Sequence, residues 1–239
     1  MNNVKYEYSQ YSDYNRFSNL DGIEGKIIEH LVESKSKFAS LFWKVLKYDS
    51  KDALSLPELT TAEKWNLVDG TAPNPTGGQT ANSRVFFSRF VDDMWVKEAS
   101  FVSIFVNDIS PTDASRSYVS VGVDTAVHAK INTIYGDADE IANPNGTNPN
   151  DYYYTDGENP VVKYKSRVTV LLKCILAELN GLYIDGVGYL QFLQETPADA
   201  RVTKGQATFT QFDNRAFAGH KIRFNVVISG VSESAEYGF

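Results

Sequence analysis

The chain has 239 residues, 42% hydrophobic and 22% charged, a balance that buries a sizeable core and argues against disorder as the default state. Lys and Arg number 23 against 30 for Asp and Glu, a net charge of −7 that opposes wrapping of nucleic acid by counterion release. A single cysteine, Cys174, permits no internal disulfide, and His30, His128 and His220 stand too far apart in sequence for any local zinc motif.

Residues 1–20 carry Tyr6, Tyr8, Tyr11, Tyr14 and Phe17 among polar neighbours without sustained periodicity. They read as a frayed terminus or as an extended arm laid on a neighbouring subunit. No apolar signal-peptide core follows Met1, so the sequence is read as that of a protein that stays in the cytoplasm where it is made.

Asp21 and Glu24 have capping-box spacing, and Ile23, Ile27, Ile28, Leu31 and Val32 recur at helical intervals, which predicts a helix from about 22 to 33. Phe38, Leu41, Phe42, Val45 and Leu46 predict a second, with Lys44 and Lys47 suited to its C-terminal dipole. Thr60 or Thr61 caps a short third helix that ends near Asp69-Gly70. Residues 21–70 form a helical N-terminal region, and 71–82, with two prolines and Gly77-Gly78, a loop.

From there the period changes. Arg84 to Val91 is ambiguous: its basic and aromatic residues fit core or interface packing better than stacking on single-stranded nucleic acid in so acidic a chain. Ala99 to Val106 alternates as a strand, with Val102, Ile104 and Val106 on one face and Phe101, Ser103 and Phe105 on the other. From Val119 to Tyr135 the odd positions are chiefly β-branched and the even ones polar. That length predicts either a projecting β-ribbon or two strands bent near Gly122 to Asp124.

Gly136 to Pro160 is a long loop that carries Tyr152, Tyr153 and Tyr154 and six acids, and without the EF-hand order it reads as solvated, not as a calcium site. Ser166 is placed to cap an amphipathic helix from Arg167 to Asn180, in which Cys174 is a small buried hydrophobe and no nucleophile. Ile184 to Gly188 is a turn into a strand Tyr189 to Gln194; its two glycines stand between helix and strand, the reverse of a dinucleotide cradle. Gln206 to Phe212 alternates weakly, and His220 to Ser229 is the last strand, with Ile222, Phe224, Val226 and Ile228 on one face. Residues 231–239 are a polar tail that carries Tyr237 and Phe239.

The order of elements predicts an α+β fold: a mostly antiparallel β-sheet packed with one long amphipathic helix, preceded by the helical region, within a core spanning 84–230 that includes the 136–160 loop. No sequence motif for a nucleophile, a metal or a phosphate occurs, and the longest apolar stretch, Val168 to Leu179, falls short of the roughly 20 residues of a bilayer span. Asp92, Asp93, Asp108, Asp113 and Asp124 are a conceivable set for a metal-dependent nuclease, but any acidic chain offers such a set. No enzyme, metal or cofactor is expected.

The run Phe42-Trp-Lys-Val-Leu-Lys-Tyr-Asp-Ser-Lys-Asp-Ala-Leu-Ser-Leu-Pro-Glu-Leu-Thr60 resembles the N-terminal part of virion structural proteins of large tailed bacteriophages. The strands, the Arg-bearing helix Arg167 to Asn180, the turn Gly181-Leu-Tyr-Ile-Asp-Gly-Val-Gly188 and the closing Phe217-Ala-Gly-His-Lys-Ile-Arg223 resemble phage neck and tail-terminator proteins. The resemblance spans about 40–70 and 100–230 and implies a virion structural protein, made in the host cytoplasm. It implies a homo-oligomeric ring in the neck between portal and tail, with neighbouring portal, neck or tail proteins as partners. DNA is expected to pass the lumen without specific binding, and no membrane is involved. The candidate interface residues are then Tyr6, Tyr8, Tyr11, Tyr14, Phe17, Tyr152, Tyr153, Tyr154, Tyr237 and Phe239, and the ribbon 117–135 joins the arms. The alternative is a carbohydrate- or protein-binding module that uses the Tyr-rich loop.

Overall fold

Helical periodicity in the first part of the chain and alternation in the rest fold as the two patterns require. The computed structural model describes residues 22–69, 82–87, 97–111, 116–135, 153–156, 159–162, 164–185, 188–192, 206–211 and 216–229. Helices α1 (Ile23–Glu33) and α2 (Lys37–Lys47) come first, then the short α3 (Thr61–Trp65). Strands β1 (Val85–Phe86), β2 (Ser100–Pro111) and β3 (Arg116–His128) follow, and a 3-10 turn over Ala129–Ile131 leads to β4 (Thr133–Tyr135). Next are β5 (Tyr153–Asp156), β6 (Asn159–Val162) and β7 (Tyr164–Ser166), and then helix α4 (Arg167–Leu179). The small hairpin β8 (Tyr183–Ile184) and β9 (Gly188–Tyr189) precedes β10 (Gln206–Gln211) and β11 (Phe217–Ser229).

Five strands form one sheet in the order β1-β2-β3-β11-β10, antiparallel except for the β1–β2 pair. The fold is α+β, as expected. The long helix is long only by comparison, at 13 residues against 11 each for α1 and α2. One cluster of buried side chains unites Ile23, Ile27 and Leu31 of α1, Phe42 and Leu46 of α2, Leu171 and Ile175 of α4, and Val121, Val123, Ile222 and Phe224 of the sheet. The helical region and the sheet therefore share a core, in which each fully buried Leu, Ile or Phe contributes about 2 kcal/mol. A smaller cluster of Phe86, Ala99, Phe101, Ala126 and Phe217 gathers the opposite strand faces.

Several expectations are corrected. β3 neither projects nor bends at Gly122 to Asp124: it pairs with β2 on one side and β11 on the other, and the long alternating run breaks instead at the 3-10 turn Ala129–Ile131. Residues 117–128 are thus central to the sheet and 133–135 pair with residues 164–166 in a separate two-stranded sheet, so the ribbon is no arm. Part of the expected 136–160 loop is a hairpin, in which β5 pairs with β6 so that Tyr153 lies opposite Val162 and Tyr154 opposite Val161. Of the strand expected from Tyr189 to Gln194, the described residues form Gly188–Tyr189 and an isolated bridge between Gln191 and Asn225, and Leu193 and Gln194 lie outside the described residues.

Helix α1 has no capping box, because Gly22 occupies its N-cap and the Glu24 carboxylate accepts from the Val106 N–H at 3.0 Å. The box is real at α3, where the Thr60 hydroxyl accepts from the Glu63 N–H and the Glu63 carboxylate accepts from the Thr60 N–H. Ser166 stands at the α4 N-cap without capping it through its side chain. Asn132 does so from 36 residues away, its Oδ1 accepting from the Val168 N–H at 3.2 Å and the Ser166 hydroxyl at 3.1 Å. Sequence reasoning looks for caps among neighbours and could not find this one.

Close approach fixes one glycine. A Cβ on Gly219 would stand 1.8 Å from the Thr125 carbonyl oxygen, and the His220 N–H donates to the Thr125 hydroxyl at 2.9 Å. No side chain fits between β11 and β3 at that point.

Candidate interaction surface

Helices α2 and α4 pack antiparallel, and two buried polar junctions fix the pair. At one end Arg167, fully buried, donates from Nε to the Ile131 carbonyl at 2.8 Å and from its two terminal nitrogens to Val45, Tyr48 and Ser50 carbonyls at 2.8, 2.7 and 2.8 Å. The last turn of a helix leaves carbonyls without partners and a partial negative charge, and the guanidinium satisfies both needs for α2. Arg84 assists from just before β1, its Nε donating to the Leu46 carbonyl at 3.3 Å and its guanidinium lying 5.6 Å from the Phe101 ring centroid. Burial lowers both arginines, Arg167 to about 10. Arg84 is therefore committed to packing.

At the other end the Glu178 carboxylate accepts from the Ser34 hydroxyl at 2.9 Å and from the Ser36 hydroxyl, with His30 Nε2 at 3.5 Å. Ser36 also caps α2, accepting from the Ala39 N–H at 3.0 Å. Three helix ends meet on one carboxylate.

Between these junctions a cleft of about 480 Å³ runs along the helix pair. Phe38, Leu41, Leu54 and Val170 line it with three lysines, Lys37, Lys165 and Lys173, and among the described residues no carboxylate lines it. Lys173 Nζ lies 5.7 Å from the Phe38 ring centroid. Cys174 also lines the cleft, but it is buried, and desolvation pushes its thiol up to about 12. A thiol so placed is no nucleophile near neutral pH.

Elsewhere the surface carries separated apolar side chains. Tyr183 and Tyr189 face each other across the β8–β9 hairpin with ring centroids 5.0 Å apart, and they are 55% and 57% exposed. Phe209, 61% exposed, projects from β10, while Phe87, just after β1, and Ile109, on β2, are 43% and 44% exposed.

Among the described residues no group of three or more His, Cys, Asp and Glu side chains is placed to hold a metal ion. Asp124 pairs with Arg223, whose guanidinium also lies over the Phe105 ring, and Asp108 accepts from the Asn107 amide. Asp92, Asp93 and Asp113 lie outside the described residues.

Comparison with protein-family models, curated proteins and solved structures finds no match. The surface must be read from its own chemistry.

Of the candidate interface residues, Tyr6, Tyr8, Tyr11, Tyr14, Phe17, Tyr152, Tyr237 and Phe239 lie outside the described residues, and Tyr153 and Tyr154 stand on β5. The arm 1–20 and the tail 231–239 lie outside as well. Sequence reasoning missed Tyr183, Tyr189 and Phe209, whose exposure depends on the sheet's edges and on the hairpin. It also passed over Arg167, although a cation in the first turn of a helix opposes that helix's own dipole and so signals a partner elsewhere. Among the described residues no helix is long and apolar enough to cross a membrane.

Proposed function

We propose that this protein is a structural subunit of the neck of a tailed bacteriophage, forming a ring between portal and tail and acting through contacts between subunits, not through catalysis. The observation that carries the reading is the placement of exposed apolar side chains at both edges of the sheet. The strand order β1-β2-β3-β11-β10 sets Phe209 at one edge, with Phe87 and Ile109 toward the other. A subunit that meets one neighbour with one surface and the next with a different one needs apolar contacts on both sides, the head-to-tail arrangement that closes into a ring. β10, Gln-Ala-Thr-Phe-Thr-Gln, carries no charge and no proline, so its outer edge lacks the usual guards against strand pairing.

The resemblance of the helix, turn and closing strand to neck and tail-terminator proteins supports the same reading, since these runs fall on α4, β8–β9 and β11. A net charge of −7 is compatible with a lumen through which DNA slides unbound. Purified protein, alone or with its portal partner, is expected to form closed rings in negative-stain micrographs. A monodisperse monomer with the partner present refutes the reading.

The exposed Tyr183–Tyr189 pair favours a second reading, a carbohydrate-binding module that stacks sugar rings on tyrosines. Glycan-array screening separates the two.

A further inference from the structure

Away from the sheet edges, a groove of about 340 Å³ lies between α1 and the β8–β9 hairpin, a volume at the lower end of the range of small-ligand sites. Its helical wall follows from the sequence of α1. Ile23, Ile27 and Leu31 go to the shared core, while Lys26, Glu29, His30 and Glu33, spaced i, i+3, i+4 and i+7, form a polar stripe along another face. The facing wall is Tyr183 with Leu182 and Ile184.

The two walls are fixed to one another. The Lys26 ammonium donates to the Asp185 carbonyl at 2.7 Å, tying helix to hairpin across 159 residues. Ile184 and Leu190 anchor the hairpin in the core, and the Leu190 N–H donates to the Leu182 carbonyl at 2.8 Å. Tyr189 stands opposite Tyr183 in the hairpin register, and their ring contact holds Tyr183 although it is 55% exposed. A ring exposed yet held offers contact area at little cost in conformational entropy. His30 also lines the groove, but its Nε2 lies 3.5 Å from the Glu178 carboxylate, so it serves the junction of the helices.

Glu29 and Glu33 are exposed, and among the described residues neither carboxylate takes part in a hydrogen bond or an ion pair. The groove therefore presents two free acceptors, an ammonium with protons to spare and an aromatic face. A cation placed there meets the ammonium, and an anion meets the carboxylates. A neutral saccharide meets neither conflict: its hydroxyls donate to the carboxylates and accept from the ammonium, and the C–H face of a pyranose covers an aromatic ring. We propose that the groove between α1 and the β8–β9 hairpin binds a neutral saccharide, with Glu29, Glu33 and Lys26 taking its hydroxyls and Tyr183 one face of its ring. The inference rests on the carbohydrate reading, to which it gives a place and a ligand class, and is independent of ring formation.

The test applies the full chain to a printed array of neutral, sialylated and sulfated glycans, followed by isothermal titration with the free form of each glycan bound. Binding to neutral glycans is expected. Glu29→Gln/Glu33→Gln and Tyr183→Ala are each expected to weaken it about tenfold or more, and Tyr183→Phe, which keeps the ring, to leave it within about threefold. Where Tyr183→Ala lowers the melting temperature, the carboxamide pair, on exposed helical positions, decides alone. Neutral glycans bound equally well by all these variants overturn this site and keep the carbohydrate reading, whereas no binding to any neutral glycan overturns both. Binding confined to sialylated or sulfated glycans, or tetramethylammonium bound in the titration where no neutral glycan is, also overturns the inference. Saccharide binding in the groove by a chain that also forms rings keeps both the site and the neck reading, and removes the carbohydrate module as a rival to the latter.

Discussion

Arg167 donates to the Tyr48 carbonyl at 2.7 Å across 119 residues of sequence, joining the first turn of α4 to the residue that ends α2. The bond ties the helical region to the second half of the chain through the backbone, with no carboxylate as intermediary. Removing the guanidinium leaves carbonyls buried and unpaired. Arg167→Met is expected to cost on the order of 3 kcal/mol in urea unfolding, and Arg167→Lys less, since one ammonium replaces part of the fork. A loss below about 1 kcal/mol for the methionine variant contradicts the role given to this side chain.

Glu178 makes the matching tie at the other end of the pair. Glu178→Ala strands the Ser34 and Ser36 hydroxyls and is expected to lower stability by about 2 kcal/mol. Adding Ser34→Ala and Ser36→Ala to that variant removes the stranded donors, so the triple variant should be more stable than the sum of its parts. Strict additivity in denaturant unfolding counts against the junction.

Two glycines of the central strands separate rigid from yielding obstacles. At Gly219 a new Cβ meets the Thr125 backbone, whereas at Gly122 it meets the Phe105 ring at 2.6 Å. Both Gly219→Ala and Gly122→Ala should lower the melting temperature. Phe105→Leu is expected to rescue the Gly122 variant and not the Gly219 variant, as read by thermal unfolding.

Burial lowers the pKa of His220 below its ordinary 6.5. The unfolded chain then takes up this proton at a higher pH than the folded one, so the stability His220 contributes as a neutral ring is present above 6.5 and lost as pH falls below it. His220→Gln should narrow the difference in melting temperature between pH 7.5 and pH 5. An unchanged difference excludes His220 as a source of acid sensitivity.

Deletion of residues 1–18 is expected to block ring assembly and leave the circular dichroism spectrum and the melting temperature unchanged. Rings formed by the truncated chain refute the arm.

What was legible in the sequence was local. The apolar period of Ile23 to Val32 and of Phe38 to Leu46 gave two helices, and the alternation through Val119, Val121 and Val123 gave the central strand, because each pattern depends on neighbours along one element. Trp43 was not legible: it lies beside the predicted face of α2, yet it is buried and its indole N–H donates to the Leu31 carbonyl at 2.7 Å. Asn132 as a cap, Glu24 as an acceptor for β2, and Glu178 as the meeting point of three helix ends all depend on partners between 36 and 144 residues away. The candidate surface was least legible, because the density of tyrosines along the chain says nothing of which strand ends at a sheet edge. Phe209 stands alone in sequence and is conspicuous only once β10 is known to be the last strand.

The position of β11 between β3 and β10 governs the order of events in synthesis. β3 and β11 are separated by about a hundred residues, so the two central strands find one another only after a long loop has been closed, a topology that folds slowly. A nascent chain can form α1, α2 and the β2–β3 pair early, but the apolar face of β3 stays half covered until Phe217 to Ser229 emerges from the ribosome. Premature termination before that strand leaves a sticky intermediate, and the cell's quality control gains a simple criterion for rejecting it.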